Sequence, residues 1–171
     1  MSHMHNGCCQ SGDKNTKGTN TGCCCGGCHA AAPQEEVSVS TEELQFLQKL
    51  AQTPYLPLAS FLLKSTQSNH LESVALAPVY LNSKADSMET VKNTASLLKS
   101  LHEKGLISLD YEEPLENGDY SEYTDSESYA YFKETVAEAE GKKDFLFDTP
   151  FLELGSMALT YTGQLLIDRL E

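Results

Sequence analysis

The sequence predicts an α+β fold that is mainly helical, preceded by a flexible cysteine-rich tail. Three observations point there. Apolar residues recur at helical spacing in several stretches after residue 40. Short β-prone runs follow the longest of those stretches and a later acidic one. Residues 1–36 are poor in apolar side chains and hold all six cysteines of the 171-residue chain. The expected division is a tail over 1–36 and one folded domain over 37–171. Residues 111–149 form a long acidic insertion within that domain.

The tail is rich in Gly, Asn, Thr and Cys and cannot bury enough apolar surface to offset its ordering entropy. The first helix follows it. Ser40 and Glu43 have capping-box spacing. Leu44, Leu47 and Leu50 give an apolar face, and Pro54 ends the helix. The stretch LPLASFLLKSTQ reads as a short second helix with Pro57 in its first turn and Leu58, Phe61, Leu62 and Leu63 on its buried side. LESVALAPVYLN reads either as a strand broken by Pro78 or as an irregular apolar segment.

The strongest helical pattern is KADSMETVKNTASLLKSLHEKGLI. Asp86 and Glu89 form a second capping-box pair. Met88, Val91, Ala95, Leu98 and Leu101 share one face, and Gly105 stops the helix. LISLDY is a strand. Within the acidic insertion, Tyr129, Phe132, Val136 and Ala139 form an apolar stripe on a helix ending at Gly141. DFLFDTPFLELGSMAL supplies one or two strands. TYTGQLLIDRLE is a closing helix capped by Thr160.

Charge is unevenly distributed. The net charge is −13. Residues 1–40 carry two lysines against three acids, and residues 41–104 carry six against six. Residues 105–171 carry four basic side chains against sixteen acidic ones. Such a field repels phosphate backbones, so a DNA-contacting surface would have to lie in the neutral middle. A hydrophobic share of 40% with 22% charged residues excludes a wholly disordered chain. No apolar run approaches the roughly 18 residues of a membrane span. With no secretory h-region visible, the expected location is cytoplasmic, without a membrane partner.

The order helix, helix, long helix ending in Gly, strand, insertion, strand, short helix is that of a winged helix-turn-helix. Two segments sharpen the likeness. TASLLKSLHEKGLISLD looks like the end of a recognition helix entering a wing strand. ALTYTGQLLIDRL, with Leu159, Thr160 and Gly163, is similar to the L-T-x-x-G segment of MarR- and PadR-type regulators. The resemblance implies a DNA-binding transcriptional regulator that acts as a homodimer, with an unusually long acidic wing. The residues then placed to meet DNA are Thr90, Lys92, Asn93, Ser96 and Lys99. A second reading keeps the winged helix but makes it a protein-interaction module that leaves DNA alone, with the acidic insertion as its partner surface.

The cysteines suggest a sensor. Cys8, Cys9, Cys23, Cys24, Cys25 and Cys28 fall within twenty-one residues. In a reducing compartment, clustered thiols point to metal or redox chemistry before structural disulfides. Adjacent cysteines suit soft ions such as Zn or Cu(I), or an iron–sulfur cluster, better than a tidy zinc knuckle. Cys25-Gly-Gly-Cys28-His29 matches the haem c attachment pattern, but the expected cytoplasmic setting disfavours haem. No phosphate loop, nucleophile elbow or H-E-x-x-H motif is present, so an enzyme is not expected.

Overall fold

In the computed structural model, residues 37–170 can be described. Helix α1 (Thr41–Gln52) begins with the expected capping box. The Ser40 hydroxyl accepts the Glu43 N–H at 3.2 Å, and the Glu43 carboxylate accepts the Ser40 N–H at 2.7 Å. Leu47 and Leu50 face inward.

The next element corrects the sequence reading. Tyr55–Ser65 is a strand, β1, and not a second helix. It turns back into β2 (Ser68–Val79) as an antiparallel hairpin. Both parities of β1 are apolar because both of its faces are covered along much of its length, so Leu58, Phe61 and Leu62 happened to match helical spacing. Pro57 is tolerated because β2 pairing begins only at Ala59. At Pro57, β1 is bonded on the β4 side alone, where its partner is Ser156.

Helix α2 (Met88–Glu103) buries Val91, Ala95, Leu98 and Leu101 as its spacing requires. Its cap is Ser87, whose hydroxyl accepts the Thr90 N–H at 3.3 Å. Asp86 instead closes the preceding turn, accepting the N–H groups of Asn82 at 2.8 Å and Ser83 at 3.3 Å. The helix ends in a Schellman motif. Gly105 takes φ 70°, its N–H reaches the His102 carbonyl, and the Leu106 N–H reaches the Leu101 carbonyl.

Strand β3 (Ile107–Asp110), helices α3 (Ser121–Thr124) and α4 (Glu127–Ala139), strand β4 (Thr149–Leu159) and helix α5 (Tyr161–Asp168) complete the domain. Thr160 caps α5, accepting the Gly163 N–H at 3.1 Å. The four strands form one antiparallel sheet in the order β2-β1-β4-β3.

This is neither a mainly helical fold nor a winged helix-turn-helix. Strands of 11, 12 and 11 residues make up most of its sheet. A long hairpin, not a helix and tight turn, leads into α2. The two expected wing strands do pair, Ile107 with Leu159 through Asp110 with Ser156, but as one edge of the larger sheet. Residues 111–149 are not a wing either, because they hold α3 and α4, whose apolar side chains pack on the sheet.

Strand alternation separates two cores. Leu56 and Leu58 of β1, with Met157 of β4, meet Leu47 and Leu50 of α1, Leu98 and Leu101 of α2, and Ile167 of α5. Ala59 and Phe61 point the opposite way and meet Tyr120, Tyr123, Phe132 and Val136. The Phe61 and Phe132 rings stack with centroids 5.1 Å apart.

Candidate functional site

Among the described residues, two surfaces carry the side chains that the sequence singles out for a partner. The first is the outer face of α2. Thr90, Lys92, Asn93, Ser96 and Lys99 are all exposed, as their spacing opposite Val91, Ala95 and Leu98 dictates. Glu89 and Glu103 are exposed on the same helix. Two of its hydroxyls are engaged locally: Ser96 donates to the Lys92 carbonyl at 3.1 Å, and Thr90 shares a 3.0 Å bond with Ser87.

Asn93 and Ser96 also line an open cleft of about 890 Å³ between α2 and the start of α1, together with Ser40, Glu43 and Lys104. Glu43 is its chemical centre. Its carboxylate, nearly buried, receives the Lys104 ammonium at 2.7 Å on both oxygens and the Ser100 hydroxyl at 2.7 Å. Burial pushes this carboxyl upward. The hydrogen bonds from Lys104, Ser100 and the Ser40 backbone, with the Lys104 charge, outweigh that and hold it down at about 2. With its lone pairs occupied, Glu43 braces α1 against α2 and is not poised for proton transfer. Its local role in the capping box is visible in the sequence. Its partnership with Lys104, 61 residues away, has no local signal.

The second surface is acidic. Every Asp and Glu from Asp110 to Glu127 is exposed. They stand on a fixed scaffold. The buried Tyr120 hydroxyl donates to the Gly155 carbonyl at 2.6 Å and accepts the Leu115 N–H at 2.9 Å. Tyr123 donates to the Pro57 carbonyl at 3.0 Å. Burial pushes the Tyr123 phenol well up, so it stays a donor. Asp125 pairs with Lys84 at 3.3 Å, and the backbone N–H and hydroxyl of Ser121 hold the Asp119 carboxyl below its usual range.

The six cysteines named as thiolate ligands lie outside the described residues. Among the described residues, no group of three or more His, Cys, Asp or Glu side chains stands where it could hold a metal ion. No helix among them is long and apolar enough to cross a membrane.

No family model and no curated protein matches the chain. One solved structure is similar, that of an uncharacterized protein from the hydrocarbon-degrading marine bacterium Alcanivorax borkumensis SK2. The identity is 15% and the TM-score 0.43, over 78% of this chain and 87% of that one. A likeness of this size supports no argument about function.

Proposed function

We propose that the protein is an interaction module that meets a basic protein partner through its acidic surface and does not engage DNA. The unbroken exposure of the carboxylates from Asp110 to Glu127, on a segment anchored by two buried tyrosines, is the observation that supports this reading. Fixed like charges raise the local concentration of a basic partner and repel phosphate. The α2 face offers no counterweight: its exposed Lys92 and Lys99 are matched by Glu89 and Glu103. The cytoplasmic setting and thiolate binding by the six cysteines belong to the same proposal. The thiolate assignment rests on the clustering of six thiols within twenty-one residues, which a reducing compartment would keep available for ligation.

The test compares two titrations over a range of salt. One uses a lysine-rich peptide, the other duplex DNA containing the region upstream of the protein's own gene. The peptide should bind, weaken with salt, and weaken further when Glu113, Glu116 and Glu122 become Gln. Sequence-selective DNA binding that is lost in Lys92→Ala/Lys99→Ala would overturn the reading in favour of a regulator.

A further inference from the structure

The sheet face that carries Leu56 and Leu58 is covered at one end by α1, α2 and α5. Further along the same face, three strands put an apolar row side by side. Leu62 of β1 pairs with Val74 of β2 on one flank and Phe151 of β4 on the other. Leu62 is 1% exposed, yet it belongs to neither helix-covered core. Val74 is 61% exposed and Phe151 41%. The next pair along holds Lys64, which bonds Glu72 at 3.1 Å and places its ammonium 3.7 Å from the Phe151 ring centre. The preceding pair sets Ser60 against Glu153. Burial and the neighbouring charges of Glu72 and Glu112 push the Glu153 carboxyl up. Three carboxylates therefore border an apolar row with one lysine among them.

We propose that this half-face receives an amphipathic helix from a partner protein, with an apolar stripe on Val74 and Phe151, the exposed members of the row on either side of the buried Leu62, and flanking lysines or arginines on Glu72, Glu112 and Glu153. The proposal rests on reading the protein as a module for basic partners and adds a docking face outside residues 113–127, for a partner in helical form. A helix suits because helices already close the other half of this sheet face, the standard way to cover a sheet. A strand added at the β2 edge suits less. That edge carries Glu72, Pro78 and three register irregularities, all of which blunt edge pairing. A second copy would bring the same acidic surface against this one. Anionic lipid headgroups would meet the same repulsion.

The probe is a synthetic helical peptide with leucines along one stripe and lysines beside it. A scrambled peptide of equal charge and a Leu/Glu peptide serve as controls. The Leu/Lys peptide should shift the NMR signals of Leu62, Val74 and Phe151. Val74→Ser/Phe151→Ser, at two exposed positions, should weaken binding by more than about tenfold, as should scrambling. Glu72→Gln/Glu153→Gln should weaken it and flatten its salt dependence. The Leu/Glu peptide should not bind.

Absence of shifts at the three residues overturns the proposal. Shifts confined to residues 113–127, with the serine variants binding as well as the parent, overturn the sheet-face docking and leave the basic-partner reading standing. Equal binding of the Leu/Glu peptide at the three residues overturns that reading together with the charge matching proposed here. A concentration-dependent dimer abolished by the serine variants assigns the face to a second copy and overturns it as well.

Discussion

Lys104 Nζ lies 2.7 Å from both carboxylate oxygens of Glu43, joining the cap of α1 to the C-cap of α2. Glu43 also belongs to the capping box, so one side chain fixes a helix start and a helix–helix contact. Lys104→Ala removes the charge partner of a nearly buried carboxylate and should cost about 2 kcal/mol. Chemical denaturation at neutral pH measures it. A loss no larger than a surface lysine gives would show that Ser100 and Ser40 suffice.

The same pair sets a pH dependence. A carboxyl held at about 2 when folded, against 4.5 unfolded, adds stability that is fully present above pH 4.5. That stability is lost as pH falls toward 2, and the shift corresponds to roughly 3 kcal/mol. Glu43→Gln should therefore be less stable than the parent at pH 7 and approach it near pH 2. Parallel stability profiles for the two proteins would sink this account.

Tyr120→Phe removes one hydroxyl that serves two backbone groups, at Leu115 and Gly155. The expected loss is about 1–2 kcal/mol, with faster amide exchange over residues 111–119 than elsewhere. Exchange that rises evenly across the domain would show that the hydroxyl does not anchor this segment in particular.

Gly163→Ala would drive a methyl group into the Leu106 carbonyl oxygen. That carbonyl already accepts the Thr160 N–H at 3.1 Å, so α5 has no room to retreat without breaking the contact. Thermal unfolding should show one of the largest losses of any Gly→Ala change here. Gly141→Ala, in open space but at φ 77°, should cost less. The reverse order would mean that α5 shifts freely on the sheet.

Glu153→Gln should raise stability at neutral pH. Burial and the charges of Glu72 and Glu112 disfavour its ionised form, so the carboxyl contributes stability when protonated and loses it as pH rises. A midpoint that falls on substitution would indicate a favourable partner for the carboxylate.

Much of this fold can be read from short stretches of sequence. The starts of α1 and α5, the apolar faces of α2 and α4, the stop at Gly105 and the strand after it all depend on residues within five positions of one another. The misreadings share a cause. A strand covered on both faces leaves no alternation to recognise, so Leu58, Phe61, Leu62 and Leu63 looked like one face of a helix. Leu159, Thr160 and Gly163 resembled a family signature, yet local demands explain each of them. Leu159 pairs with Ile107, Thr160 caps α5, and Gly163 admits the Leu106 carbonyl. The five residues of the α2 face are exposed, and that exposure follows from helical period alone.

By itself the sequence determined the starts of α1 and α5, the stop of α2 at Gly105, most of the side chains that α2 and α4 bury, and that negative charge gathers after Leu106. Capping, periodicity and composition are local, so they need no knowledge of neighbours. Only the tertiary structure decided that β1 is a strand, that Lys104 is the partner of Glu43, and that Val74, Leu62 and Phe151 form one row. Each depends on partners distant in the sequence, 61 positions for Glu43 with Lys104, 12 and 89 for Leu62 with Val74 and Phe151, and as many as 103 for β1 with β4, which meet only as the tertiary structure assembles.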